Sequence, residues 1–342
     1  MEKIILTGKT LEELEQLAQT LEEPTFRAKQ LHSWLYEKAS SSFDEMTNLS
    51  KSFKEKLKQI ASISCVTIKE RQISKDGTIK YLLEYPDKAL VECVLMRFDN
   101  RANLTACVSS QVGCAVGCKF CATGKLGFTR NLTASEIVEQ ILTIERDTKL
   151  KVTNIVYMGQ GEPLLNFDNV MKSIDIFNKD VQIGMRRITV STSGIVPSIE
   201  KLAQDKRQIT LALSLHAPND KIRTEIMPIN KKYPLAEVMQ ALEDWSEQTK
   251  RRATIEYTMI KNINDSIECA KEMSDLLKNL HCNINIIPYN PTEQKGFQKP
   301  DKESIYKFKY ILEQSGKKTT VRLERGNDID AACGQLANKK KS

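Results

Sequence analysis

Cys114-Ala-Val-Gly-Cys118-Lys-Phe-Cys121 governs the reading of this chain. Three thiols fall within eight residues, and no fourth cysteine lies close enough in sequence to complete a tetrahedral set. A structural zinc site pairs one C-x2–4-C knuckle with a second Cys or His pair. The three histidines, His32, His216 and His281, stand at no such spacing. A disulfide framework fits poorly with nine cysteines, an odd number, in a long basic chain. An incomplete thiolate cage suits a [4Fe–4S] cube in which three irons take protein sulfur and the fourth stays open for a small ligand. Cys114, Cys118 and Cys121 are therefore the expected cluster ligands.

Downstream of these cysteines, strand and helix patterns alternate. Helix Ala134–Arg146 opens on a capping box, Thr133-x-x-Glu136. Expected strands over 152–158, 188–191, 209–215, 254–260, 283–289 and 319–323 are separated by helices over 167–178, 198–203, 235–245, 266–280 and 303–314. Counting from the strand that enters the cysteine loop gives about six β-α units, the pattern of a parallel sheet wrapped by helices. A full eight-fold barrel takes about 250 residues with its helices. The expected fold is α/β, a partial (β/α)6 TIM-like barrel over residues 100–342.

Upstream, the period changes. Residues 63–99 alternate with a period of two, with turn signals at Lys75-Asp76-Gly77, Pro86-Asp87 and Asp99-Asn100, and read as a β extension. Residues 1–62 read as a helical accessory domain, with helices near 11–21, 26–39 and 49–60. The last carries Lys51, Lys54, Lys56 and Lys58, either a solvated face or a surface for RNA phosphates.

The 342 residues are 40% hydrophobic and 28% charged, enough for a sizeable core. Residues 1–20 mix charges into short apolar runs, unlike a secretory leader, and no run of about 18 apolar residues suits a membrane span. A cytoplasmic protein with reduced thiols and no membrane association is expected. The net charge of +7 is compatible with a polyanionic partner.

The C-x3-C-x2-C spacing resembles that of radical S-adenosylmethionine (SAM) enzymes. Gly159-Gln160-Gly161-Glu162-Pro163, at the end of the 152–158 strand, resembles their SAM-binding loop. The resemblance implies cofactor contacts from Gly161 and Glu162, from Ser191 in Ser191-Thr-Ser-Gly194, from Ser214, Leu215 and His216, and from Asn290 in Tyr289-Asn290-Pro291. It also implies that the cluster's free iron holds SAM and that one electron, from a flavodoxin-like or ferredoxin-like donor, produces a 5′-deoxyadenosyl radical.

Four further segments narrow the resemblance. Cys107-Val-Ser-Ser-Gln-Val-Gly-Cys114, Ser214-Leu-His-Ala-Pro-Asn-Asp220, Met227-Pro-Ile-Asn-Lys-Lys-Tyr233 and Asp328-Ile-Asp-Ala-Ala-Cys-Gly-Gln-Leu336 together resemble the RlmN/Cfr family of radical-SAM RNA adenine methyltransferases, from about residue 24 to 337. The RlmN branch methylates C2 of adenine 2503 in 23S rRNA and of adenine 37 in tRNA. The C2 carbon cannot attack a sulfonium methyl, and the resemblance implies a ping-pong route around this. Cys333 takes a methyl from one SAM, and the radical from a second SAM abstracts hydrogen from that S-methyl group. The carbon radical adds to C2, a base removes the C2 proton, and Cys107 attacks the Cys333 sulfur to release product, leaving a Cys107–Cys333 disulfide. The base is expected at Glu92 in Val91-Glu92-Cys93-Val94, where apolar neighbours would desolvate its carboxylate. A monomer is expected.

Gln160 departs from the methionine the family commonly carries, and a tuned SAM pocket is expected from it. Cys65, Cys93, Cys269 and Cys282 match no catalytic position, and Lys339-Lys340-Lys341 is a basic tail. Three alternatives remain: a Cfr-like C8 methyltransferase, a glycyl-radical activase, and a non-catalytic RNA-binding protein with structural zinc. Val112 and Pro163 favour the RlmN branch over C8 chemistry, and an activase has no use for the thiols Cys107 and Cys333.

Overall fold

The computed structural model describes residues 3–64, 66–98, 101–292 and 296–338. Cys65, the Asp99-Asn100 turn and the Lys339–Lys341 tail lie outside the described residues. The N-terminal segment packs helices Leu11–Thr20, Phe26–Tyr36 and Lys51–Ile60. Thr10 opens the first with a capping box to Glu13, and Ser50 caps the third by accepting from the Phe53 amide. A parallel bridge of β1 (Ile4–Ile5) with β2 (Ala61–Ser62) ties the ends of this segment together. Strands of two residues show no alternation, so the sequence did not suggest them. Lys56 pairs with Glu23 at 2.9 Å and Lys58 with Asp44 at 2.8 Å. Two cations of the lysine face are thus matched within the protein, while Lys51 stands exposed.

The meander follows as β3 (Thr67–Ile73), β4 (Ile79–Glu84), β5 (Leu90–Phe98) and β6 (Arg101–Cys107), each antiparallel to the next. Short strands β7 (Gln111–Gly113) and β8 (Phe128–Asn131) pair across the cysteine loop. Then come β9 (Asn154–Tyr157), β10 (Ile188–Thr192), β11 (Thr210–Ser214), β12 (Ala253–Met259), β13 (Cys282–Pro288) and β14 (Lys318–Val321). Helices Ala134–Thr148, Phe167–Lys179, Val196–Asp205, Leu235–Thr249, Ile267–Leu276 and Lys302–Gln314 link the parallel strands in turn. That makes six β-α units ending on β14.

Ten strands form one sheet, ordered β14-β13-β12-β11-β10-β9-β6-β5-β4-β3, parallel from β6 to β14. The meander therefore continues the barrel sheet through the β5–β6 pairing. Among the described residues the two edges, β14 and β3, do not pair with each other, so the barrel is open. Helix Ala134–Thr148 is the most deeply sunk, with Ile137, Val138, Ile141, Leu142 and Ile144 all fully buried. One continuous apolar core runs from Leu14, Leu35 and Phe53 of the N-terminal helices into the barrel. Among the described residues no helix is long and apolar enough to cross a membrane.

Candidate active site

β6 ends at Cys107, and the chain runs through β7 into the cysteine loop. Gly113, at φ +75°, permits this turn, because a Cβ there would lie 1.9 Å from the Gly127 oxygen. The Cys114 amide donates to that same oxygen at 2.8 Å. Cys114, Cys118 and Cys121 all line one cavity at the C-terminal ends of the barrel strands. Burial pushes the Cys114 thiol up to about 12, opposed by the amides of Val116 and Gly117. Burial also raises Cys121, opposed by the amides of Gly124 and Thr123. Such amides are the donors that a metal-bound thiolate accepts. Among the described residues no group of His, Cys, Asp and Glu side chains forms a site for a single metal ion. Three thiols sharing a cavity wall, with amides aimed at two of them, fit a larger iron–sulfur core.

The opposite wall carries most of the expected cofactor residues. Gly161, Glu162, Ser191, Ser214 and His216 line the cavity. Both Glu162 oxygens accept backbone amides, from Leu164 at 3.0 Å and Ser193 at 2.7 Å. Burial raises its pKa, and the Ser193 amide opposes that. The Ser191 and Ser214 hydroxyls lie 3.2 Å apart. His216 accepts the Thr258 amide on Nδ1 at 2.8 Å. Burial, with the nearby Arg223 charge, pushes its pKa down to about 3. The ring is thus neutral with its proton on Nε2.

Two of the expected contacts lie elsewhere. Leu215 packs in the apolar core, donates its amide to the Glu256 carbonyl and accepts from Arg223 Nε on its own. Asn290 faces a neighbouring cavity and donates from Nδ2 to the Cys333 carbonyl at 3.0 Å. The Gln160 side chain also turns away from the cofactor wall. Its Nε2 donates to Asn338 Oδ1 at 2.8 Å and its Oε1 accepts the Glu92 amide at 3.0 Å. The side chain thus links the loop to the C-terminal segment.

The neighbouring cavity holds about 630 Å³ and is lined by Cys107, Cys333, Val94, Met96, Phe98 and Arg325, among others. Cys333 belongs to both cavities, as do Cys121, Met158 and Arg322. Cys107 and Cys333 are both free thiols. Burial pushes Cys107 up to about 12, the Cys333 sulfur adds to this, and the Arg322 charge opposes it. The Arg322 pKa is raised, chiefly by the Cys333 sulfur, with Glu256 and Cys107 adding to it against burial.

Cys333 lies on a strap, residues 326–338, anchored at both ends on the meander. At the upstream end, Asp76 accepts the Gly326 amide at 2.9 Å and Asp328 accepts from the Ser74 hydroxyl at 2.6 Å. At the downstream end, Glu92 Oε2 accepts the amides of Ala337 at 2.7 Å and Asn338 at 3.0 Å. Between them, Ala122 donates to the Gly334 carbonyl at 2.8 Å and Thr123 to that of Leu336 at 2.7 Å. Glu92 is buried as expected, but its carboxylate is not isolated. Lys80 lies 3.0 Å away, equally sequestered.

The sequence reading missed several residues. Arg223, fully buried, donates to the carbonyls of Ser193, Ser214 and Leu215 and to Asn230 Oδ1, knitting together the loops after β10 and β11. Its helix, Asp220–Ile226, is too short to show a period. Glu256 is buried on the cofactor wall, and its Oε2 has no hydrogen-bond partner among the described residues. Lys80 offered the clearest overlooked signal, a lone cation inside the apolar strand Ile79–Glu84.

The radical SAM superfamily model matches residues 108–276, and the ribosomal RNA large subunit methyltransferase N-terminal domain model matches residues 4–63. The chain is 46% identical over 342 residues to a probable dual-specificity RNA methyltransferase RlmN of Alkaliphilus oremlandii, covering 99% of each. The chain belongs to the RlmN family. The dual-specificity RNA methyltransferase RlmN of Marinobacter nauticus is 44% identical, with 99% of this chain and 94% of that protein covered. A radical SAM methyltransferase from Sphaerobacter thermophilus, known from its crystal structure, superposes with a TM-score of 0.94 at 42% identity over 98% of this chain and all of that one. Membership in the RlmN family makes the protein a radical-SAM RNA methyltransferase that uses a [4Fe–4S] cluster and SAM.

Proposed function

We propose that this enzyme methylates C2 of adenine 2503 in 23S rRNA and of adenine 37 in tRNA, with Cys333 as the methyl carrier and two SAM consumed per turnover. The observation that supports it most is the place of Cys333 between the cavity of the cluster cysteines and the cavity that holds Cys107. A carrier thiol needs access to both a methyl donor and an acceptor base.

Cys114, Cys118 and Cys121 would hold the cluster, which with SAM and an electron from a flavodoxin-like or ferredoxin-like donor would supply a carbon-centred radical. Gly161, Glu162, Ser191, Ser214 and His216 orient the donor, and the neutral His216 offers only a hydrogen bond from Nε2. Cys333 takes the first methyl by displacing S-adenosylhomocysteine from SAM, with Arg322 lining both of the cavities that Cys333 lines. The target base occupies the larger cavity among Met96, Phe98 and Arg325. Glu92, on the cavity-facing side of β5 with Val94 and Met96, accepts the C2 proton once the amides of Ala337 and Asn338 leave its Oε2. Cys107 then attacks the Cys333 sulfur to release the product, and a reductant restores both thiols. Residues 1–62 serve as an RNA-binding accessory domain, the enzyme works as a monomer, and its place is the cytoplasm.

The test is nucleoside mass spectrometry of 23S rRNA and tRNA from cells lacking their own RlmN, with and without this gene. 2-Methyladenosine in both pools is the expected result. 8-Methyladenosine would shift the reading to Cfr-type chemistry, and no methyladenosine from a cluster-loaded enzyme would overturn it.

A further inference from the structure

Gln160 sits fully buried in the loop that carries Gly161 and Glu162, yet its side chain serves a different partner. Its backbone is fixed, with the amide donating to Ser109 Oγ at 2.8 Å and the carbonyl accepting from Ser110 at 2.8 Å and Gln111 at 3.2 Å. With the main chain so held, the carboxamide spans from the β5 backbone to Asn338. Asn338 is gripped in three ways: its Oδ1 by Gln160, its Nδ2 by the Leu90 carbonyl at 2.8 Å, and its amide by Glu92. Cys333 lies five residues upstream, on the same strap.

We propose that Gln160 is a positioning residue for the methyl-transfer reaction, anchoring the downstream end of the Cys333 strap through Asn338 so that Cys333 meets Cys107. The proposal rests on the reading of Cys333 and Cys107 as a working pair. A carboxamide suits this task because it offers a donor and an acceptor at once. Methionine fills a similar volume and supplies neither. Among the described residues the other long-range hydrogen bonds of the strap go to the cysteine loop, to Asn290 and Pro291, to the β3–β4 turn, and to Lys80, Leu90 and Glu92 of β4 and β5. Among the described residues, Gln160 alone hydrogen-bonds the strap to the cofactor loop. Loss of one such buried hydrogen bond is expected to loosen the downstream end about fivefold.

The test compares wild type, Gln160→Met, Asn338→Ala and the double variant, each loaded with its cluster and kept anaerobic. The Cys107–Cys333 thiol–disulfide equilibrium against glutathione reads directly how well the strap brings the two sulfurs together. Gln160→Met is expected to lower that constant about fivefold in the wild-type background, and by less than twofold once Asn338 is alanine. Amide exchange at Ala337 and Asn338 should quicken by a similar factor while barrel-core amides stay unchanged. An unaltered constant with unaltered exchange overturns the proposal, as do equal, additive losses in both backgrounds. If wild type forms no Cys107–Cys333 disulfide at any glutathione ratio, the paired-thiol reading falls. Faster exchange in Gln160→Met would then leave only an anchored strap, and unchanged exchange would remove that too.

Discussion

The Lys80 ammonium lies 3.0 Å from the Glu92 carboxylate, with side-chain exposures of 5% and 1%. β4 and β5 bring the two together, with Leu82 rather than Lys80 directly opposite Glu92. Lys80 Nζ also reaches the Asp330 carbonyl at 3.3 Å, so one cation serves both the base candidate and the strap. Removing one partner of a buried pair leaves the other charge uncompensated, at a cost of roughly 3–5 kcal/mol. Lys80→Met should lower unfolding free energy by that order, and Lys80→Met with Glu92→Gln should recover part of it. Urea titration of the anaerobic protein checks this, and a Lys80→Met variant as stable as wild type would refute the pairing.

The two candidate thiols should fail in different ways. Cys333→Ala is expected to abolish both turnover and the covalent RNA–protein complex, because no carrier remains. Cys107→Ala should accumulate that complex, because nothing resolves it. Denaturing gels of reactions with labelled RNA distinguish the two. Normal turnover by Cys107→Ala would sink the scheme.

His216 makes stability depend on pH. The unfolded chain binds its proton below about pH 6.5, and the folded chain only below about 3, because burial and then Arg223 disfavour the imidazolium. Between these values the unfolded state holds more protons. The His216 contribution is therefore complete above pH 6.5 and is lost as pH falls, at up to about 1.4 kcal/mol per unit. His216→Asn should flatten the slope of unfolding free energy between pH 6.5 and 5 by that amount, and an unchanged slope would contradict the assignment.

Arg223 holds three carbonyls and one side-chain oxygen that have little access to water. Arg223→Met should cost roughly 3 kcal/mol through those unpaired acceptors, and should weaken SAM binding because Ser193 and Ser214 lose their shared anchor. Calorimetric titration with SAM on the cluster-loaded variant reads the second effect separately from the first. Wild-type affinity would show that the wall does not depend on this residue.

How far the sequence disclosed this site depended on the kind of signal. The six β-α units were legible because their strands and helices are long enough to display periods of two and 3.6. Cys114, Cys118 and Cys121 were legible because ligands close in sequence advertise their spacing. Cys107, Cys333 and Glu92 carried no such local mark and came through family resemblance. The contacts of the strap could not be read at all. Asp76 with Gly326, and Gln160 with Asn338, are separated by 250 and 178 positions and involve polar residues that elsewhere would simply face water. The side chains of Leu215 and Asn290 turn toward the core and the neighbouring cavity for a related reason. A residue at a strand end can face either cavity or the core, and only packing decides which.

The open sheet gives the strap a further meaning. A closed barrel would have to break a ladder of strand hydrogen bonds to admit something as wide as folded RNA. Here the chain leaves edge strand β14 and crosses to the meander near the other edge as a loop. The segment that carries Cys333 therefore bridges the two sides of the open sheet without belonging to either strand ladder, tied to Ser74 and Asp76 at one end and to Glu92 at the other.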